Sequence, residues 1–294
     1  MGVMDLAAFR EDVGGSGPVC VRGGGTHWDV GGSDAGARSV PAPEGIEAFE
    51  PAEMTVTVGA GTTVEALSAA LAEHGQEVAI DGPHGSTVGG ALMVGRSPLR
   101  RGRLGEVADV LLQADCVGAD GVAFTAGGPT VKNVTGYDLC RLLVGSLGTL
   151  ALVGRVILRT QPSPEAFAWM AGSVGTGKVV DVLYRPATVL WDGVNTTVRV
   201  EGNSQDVDEE VDRLQMLGME TAVEPVLPTE WDRWTGALPV GGVLEVGAGV
   251  VHRPDAPEPA KVPVGVRSLG ERVRDSFDPT RRLNPGRDPH RVPA

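Results

Sequence analysis

The sequence predicts an α+β protein of two domains with a C-terminal segment. Three observations predict it. Across residues 17–162, short apolar strands run repeatedly into glycine-rich loops. Beyond residues 161–164 the pattern changes to several short strands and one amphipathic acidic helix, the composition of a small domain with sheet on one side and helix on the other. A Pro-rich connector from Pro254 to Pro263 then precedes a last segment, VRSLGERVRDSFDPTRRLNPG. The expected division is 1–162, 163–262 and a segment 263–294 that packs back on the first domain.

In the first domain, Val19 to Arg22 reads as a strand that enters Gly23, Gly24, Gly25, Thr26 and His27. Met54 to Val58 alternates as a strand does and ends at Gly59. Thr62 and Glu65 have the spacing of a capping box, Val64, Leu67 and Leu71 follow at helical spacing, and Gly75 ends the helix. This strand–GAG–helix unit lacks the third glycine of a dinucleotide fingerprint, since Val64 stands in its place, so no nicotinamide site follows. DGPHGSTVGG, residues 81–90, reads as a loop. Val107–Cys116 and Gly121–Phe124 read as a hairpin, Leu139–Leu143 as a helix, and Leu150–Leu158 as a strand.

In the second domain, Lys178–Tyr184, Thr188–Trp191, Thr196–Val200, Thr221–Val226 and Val243–Val251 read as strands. Val207 to Leu217 reads as the acidic helix, with Val207, Val211, Leu214 and Leu217 on its apolar face.

Composition narrows the function. Hydrophobic residues make up 41% of 294, enough for a real core, but aromatics are only 4%, so Val, Leu and Ala must build it. The 43 glycines and 21 prolines mark many turns and close approaches. A net charge of −13 argues against nucleic acid or an anionic membrane as partner, because both need clustered Lys and Arg. Cys20, Cys116 and Cys140 form no CxxC, which predicts free buried thiols and no iron–sulfur cluster held by this chain alone. MGVMDLAAFREDVGG lacks the basic start and apolar run of a signal peptide. The longest apolar run, Leu147–Leu158, is broken by Arg155 and falls short of the roughly 20 residues a membrane span needs. A cytoplasmic protein without a transmembrane segment is expected.

Function is written most densely in residues 127–150, GGPTVKNVTGYDLCRLLVGSLGTL, together with RGGGTH at 22–27 and STVGG at 86–90. Glycine lets a chain approach a diphosphate and turn its N–H groups onto it. The combination resembles the PCMH-type FAD-binding domain of the vanillyl-alcohol oxidase and p-cresol methylhydroxylase superfamily, and within it the FAD-binding subunits of glycolate oxidase. The resemblance implies a domain of two α+β subdomains and a small α+β cap. Carried over by motif, it places Arg22, Gly23, Gly24, Gly25, Thr26 and His27 in a first pyrophosphate loop, and Pro83, Gly85, Ser86, Thr87, Gly89 and Gly90 in a second. It adds Lys132, Asn133, Gly145, Ser146, Gly148 and Thr149 along the cofactor, Val153 at the adenine end, and Asn284 of the C-terminal LNPG.

Members that tether FAD do so through a histidine directly after the glycine pair. That register here holds Gly25 or Thr26, with His27 one place late, so non-covalent FAD is expected. VLWDGVNTTVRVEG and the acidic helix after it resemble the small cap of the glycolate oxidase subunit, and Leu147 agrees with that branch. The implied activity is oxidation of a small 2-hydroxy acid, with a larger FAD subunit and an iron–sulfur subunit as partners. A free-standing small oxidoreductase for another alcohol or acid, and a flavoprotein scaffold without chemistry, remain as alternatives. The five histidines (27, 74, 84, 252 and 290) are scattered, so no resident metal is expected. The arginines at 96, 100, 101 and 103 suit a substrate carboxylate or a docking face, with a solvated loop as the favoured reading. His252 is a conceivable base or a structural histidine, and no residue is assigned as the catalytic base.

Overall fold

A computed structural model describes residues 5–33, 36–129, 138–258 and 261–292. Two compact units emerge. The first is built from the described residues up to Pro98, from Glu106–Pro162 and from Lys261–Val292; the second from Leu99–Gly105 and the described part of Ser163–Ala260. Both are mixed sheet and helix, the α+β class expected.

The first unit is organised by a five-stranded antiparallel sheet in the order Ile46–Glu50, Thr55–Gly59, Leu152–Arg159, Leu111–Val117, Ala123–Gly127. Beside it, Val19–Val21 and Arg38–Val40 pair in parallel. Helix Val64–Ala72 buries Val64, Leu67 and Leu71, the stripe that the sequence spacing marks. Its cap is Thr63, whose side chain accepts from Ala66 N at 3.2 Å, and not Thr62. Thr62 turns the other way: its Oγ1 accepts from Gly45 N at 2.8 Å. Glu65, the expected box partner, accepts from Gly85 N at 2.8 Å instead, a bond that is the leading cause of its lowered pKa. STVGG is not a free loop either. Thr87 caps a helix, Val88–Val94, that contains both glycines.

A second set of contacts closes this unit. Phe9, Val13, Val19, Val40, Val117, Leu152 and Leu283 form one buried cluster, so the C-terminal segment is part of the core. Asp278, fully buried, accepts from Arg282 N at 3.1 Å and Leu283 N at 2.7 Å. Arg282 then donates to five carbonyls: Val13 (2.9 Å), Gly14 (3.1 Å), Ser16 (3.1 Å), Gly17 (2.8 Å) and Ala119 (3.1 Å). The three cysteines are free and buried, as expected. Burial pushes the Cys140 thiol up to about 11 and Cys116 higher still, which leaves both inert.

The second unit carries a seven-stranded antiparallel sheet in the order Glu220–Ala222, Ala166–Gly172, Thr196–Gly202, Thr188–Trp191, Val243–Glu245, Val250–Arg253, Glu230–Arg233. Its core is Met170, Val179, Val189, Val198, Val200, Val207, Leu214 and Met219. Helix Ser204–Met216 is the acidic helix, capped by Asn203, which accepts from Asp206 N at 2.9 Å.

Three strand expectations fail here. Residues 178–184 lie mostly in a helix, Thr176–Val182, because Val179, Val182 and Leu183 pack at helical spacing on that core and override the strand preference of valine. Residues 243–251 are a hairpin, turned at Gly247 and Gly249, both with positive φ. The strand at 221–226 ends at Ala222, ahead of Pro225. Helices Leu6–Val13 and Val264–Phe277 and strands Ala166–Gly172 and Glu230–Arg233 had no sequence assignment. Among the described residues no helix is long and apolar enough to cross a membrane.

Replacing Arg282 by Met leaves five inward carbonyls without their donor. The expected loss is about 3 kcal/mol or more of stability in the first unit, since each buried unsatisfied group costs on the order of 1–3 kcal/mol. Urea denaturation of the R282M variant measures it, and an unchanged midpoint would refute the role given to this side chain.

Candidate functional site

The site begins at an anchored strand. Val19 N donates to Arg282 O (2.9 Å), Asn284 N donates to Val19 O (2.8 Å), and the strand delivers Arg22 and the glycine loop from that fixed point. Gly24 packs so closely that a Cβ there would lie 1.7 Å from Gly85 O; one on Gly23 would lie 2.2 Å from Thr87 Oγ1. Thr26 Oγ1 and Ser86 Oγ share a hydrogen bond of 2.8 Å. The loops at 22–27 and 83–90 are therefore sewn together by direct packing. Pro83 takes part by accepting from Ser86 N at 2.9 Å.

A third element meets them. In the turn after helix Leu139–Leu143, Gly145 N donates to Leu92 O (3.0 Å) and Leu147 N to Met93 O (2.9 Å). Thr149 Oγ1 donates to Ser146 O at 2.7 Å and shapes the bend. Leu147 and Gly148 both have positive φ, and Asn284 Nδ2 donates to Leu147 O at 2.8 Å.

These elements enclose a cleft of about 830 Å³, open solvent included. Of the sequence-predicted residues, Gly23, Gly24, Gly25, Thr26, His27, Thr87, Gly89, Gly90, Gly148, Val153 and Asn284 line it. Arg22, Pro83, Gly85, Ser86, Gly145, Ser146 and Thr149, also expected at the cofactor, are not among the residues that line it. Lys132 and Asn133 lie outside the described residues. Trp28, Met93, Val94 and Arg287 line the cleft without having been singled out. Trp28 follows His27 directly and Arg287 stands three residues after Asn284, so proximity to both motifs was the available signal.

The donor set fits an anionic diphosphate joined to flat rings. Among the described residues, the N–H groups of Gly23, Gly24, Gly25 and Thr26 donate to no protein acceptor, and all four residues face the cleft. The rest of the lining is largely apolar, as a ring system needs. Burial first, and then the charge of Arg96, hold His27 below the ordinary histidine pKa, so it sits in the loop as a neutral imidazole.

Comparison with known proteins agrees. Residues 10–127 match the family described as FAD binding domain. This part of the chain is similar to FAD binding domains of the PCMH type. Over 125 residues it is 35% identical to glycolate oxidase subunit GlcE of Escherichia coli, covering 42% of this chain and 36% of that protein. Over 155 residues it is 37% identical to the D-lactate dehydrogenase of Archaeoglobus fulgidus, covering 49% of this chain and 33% of that one. The chain thus spans about a third of the length of these curated relatives. An alkyldihydroxyacetonephosphate synthase shares the fold, with a TM-score of 0.63 at 13% identity, covering 94% of this chain and 72% of that one.

The arginine patch belongs partly to other work. Arg100 makes a two-pronged pair with Glu201 (2.7 and 2.9 Å), and Arg199 reaches the same carboxylate at 2.8 Å. Arg101 pairs with Glu245 at 2.9 Å, whose other oxygen bonds His252 Nε2 at 2.6 Å. Glu201, Glu245 and His252 are buried, so Arg100 and Arg101 balance internal charge in the second unit and form no solvated loop. His252 is likewise a structural partner.

In the first unit, Gly24→Ala forces backbone apart from backbone. Overpacking of this kind costs about 1–3 kcal/mol, and separating the loops removes the run of N–H groups. The G24A protein is expected to purify with little flavin and to melt lower; full flavin content would show that the loop contact is dispensable.

Proposed function

We propose that this chain is the FAD-binding subunit of a 2-hydroxy-acid dehydrogenase of the glycolate oxidase kind. The observation that carries the reading is the run of four free N–H groups on the cleft wall of an FAD binding domain. The relatives, a glycolate oxidase subunit and a D-lactate dehydrogenase, support the choice of substrate class.

In this reading residues 1–162 and 263–294 hold the cofactor, and residues 163–262 form the small cap domain. The N–H groups of Gly23 to Thr26 bind the diphosphate. Gly89, Gly90 and Gly148 leave room for close approach, Val153 borders the adenine end, and Asn284 holds the Leu147 turn against the cleft. Lys132 and Asn133 add cofactor contacts from the KNVTGYDL box. Trp28 and Met93 shield the flat rings from water. Bound FAD supplies a two-electron acceptor for the hydride of the hydroxy acid. His27 makes no covalent tether: it stands after Thr26, and its neutral ring serves as a loop residue. A larger FAD subunit and an iron–sulfur subunit take the electrons onward.

Acid precipitation is expected to release all flavin into the supernatant; flavin retained in the pellet would demonstrate a covalent link. FAD at about 100 times its dissociation constant should stabilise the protein by roughly 2.7 kcal/mol, so holo-protein melts above apo-protein. Anaerobic addition of glycolate then tests the chemistry. Bleaching of the flavin band by this chain alone favours a free-standing oxidoreductase. Bleaching only with partner subunits present supports the subunit reading, and a band that never bleaches in the assembled complex overturns it.

A further inference from the structure

The C-terminal segment brings to the cleft a buried arginine that is held against the turn carrying Trp28. Arg287 is buried, and its Nη1 donates to the carbonyls of Val30 (3.0 Å) and Gly32. Its guanidinium carbon lies 4.6 Å from the centre of the Trp28 ring, and that of Arg22 lies 4.7 Å from the same centre. Trp28 is half-buried and lines the cleft next to the free N–H groups.

The turn that carries Trp28 is held at its backbone. Trp28 N donates to Gly25 O (3.3 Å), Val30 N to His27 O (3.2 Å) and Gly32 N to Asp29 O (3.2 Å). Asp288 N ties the same turn to the C-terminal segment through Gly31 O at 2.8 Å. None of these bonds orients the indole. The two guanidinium groups do, because a cation over an aromatic ring attracts it and a planar fork bonded to carbonyls cannot swing away.

We infer that Trp28 is a wall for one planar ring of the cofactor, and that Arg287 is a positioning residue acting through Trp28. The inference rests on the FAD reading above. Trp28 lines the cleft beside the site of the diphosphate, where a ring joined to that diphosphate must lie, and the part of its indole that Arg22 and Arg287 leave uncovered is the surface it offers. Arg287 sets the angle of that surface from a segment remote in sequence.

The test titrates FAD into apo-protein and reads both the dissociation constant and the quenching of tryptophan emission. Wild type, W28F, W28A, R287Q and the double variant W28A/R287Q are compared. Loss of a stacked aromatic surface should weaken FAD about tenfold in W28A, whereas W28F should stay within about threefold. Quenching per bound FAD should fall in both, because Trp28, one of five tryptophans, is the nearest donor. R287Q should weaken FAD about as much as W28A, yet add less than about twofold in the W28A background, the signature of one residue acting through another. Additive effects would overturn the positioning role of Arg287. Should R287Q fail to fold, W28A decides: wild-type affinity and undiminished quenching would remove Trp28 from the cofactor wall. Wild-type protein that takes up no FAD at all would instead sink the FAD reading.

Discussion

The cofactor cleft depends on one buried guanidinium that never touches it. Arg282 gathers the carbonyls of Val13, Gly14, Ser16, Gly17 and Ala119 around itself. Residues 13–17 run into the strand Val19–Val21, and that strand runs into the glycine loop. A loop of three glycines has little preference of its own, and fixing it costs about 1–2 kcal/mol per residue in backbone entropy. The cost is met at the loop's root, where the strand is held on one side by Arg38–Val40 and on the other by Leu283. Asp278 sets the path of residues 282 and 283 and so completes the root.

From that root the loop's own chemistry follows. Gly23 and Gly24 lack side chains for a reason internal to the protein, the close approach of the segment 85–87. With the space at 23 and 24 filled by a neighbouring segment, the N–H groups of the loop still donate to no acceptor among the described residues. The same logic holds at Gly148, where a Cβ would lie 2.2 Å from Asn284 Nδ2. Glycine therefore acts twice, by letting two chain segments touch and by leaving donors unspent. Reading glycines only as room for a ligand misses the first role.

What the sequence disclosed and what it hid divide along contact distance. The strand before RGGGTH, the helix stripe Val64, Leu67 and Leu71, and the GSLGTL turn are local patterns, and they were legible as such. The cap of that helix moved from Thr62 to Thr63 because Thr62 found a partner, Gly45, seventeen residues away. Helix Thr176–Val182 looked like a strand because valine favours sheets, and only packing against Met170 and Leu214 reverses that preference. Arg282 carried no local signal, since its carbonyl partners lie more than 160 residues away, and Trp28 and Arg287 were marked only by nearness to His27 and Asn284. Arg100 and Arg101 misled for the same reason: the glutamates that consume them stand beyond residue 200.

The make-up of the cleft bears on where catalysis takes place. Its described lining holds no carboxylate, and its imidazole, His27, is kept neutral by burial and by Arg96. Removing a proton from a substrate hydroxyl takes a base poised near the working pH and within hydrogen-bond reach of it. A base whose pKa is pushed down is a poorer proton acceptor, and the same positive charge that lowers it opposes the cation that results. The lining is thus suited to holding a dinucleotide and ill-suited to activating an alcohol.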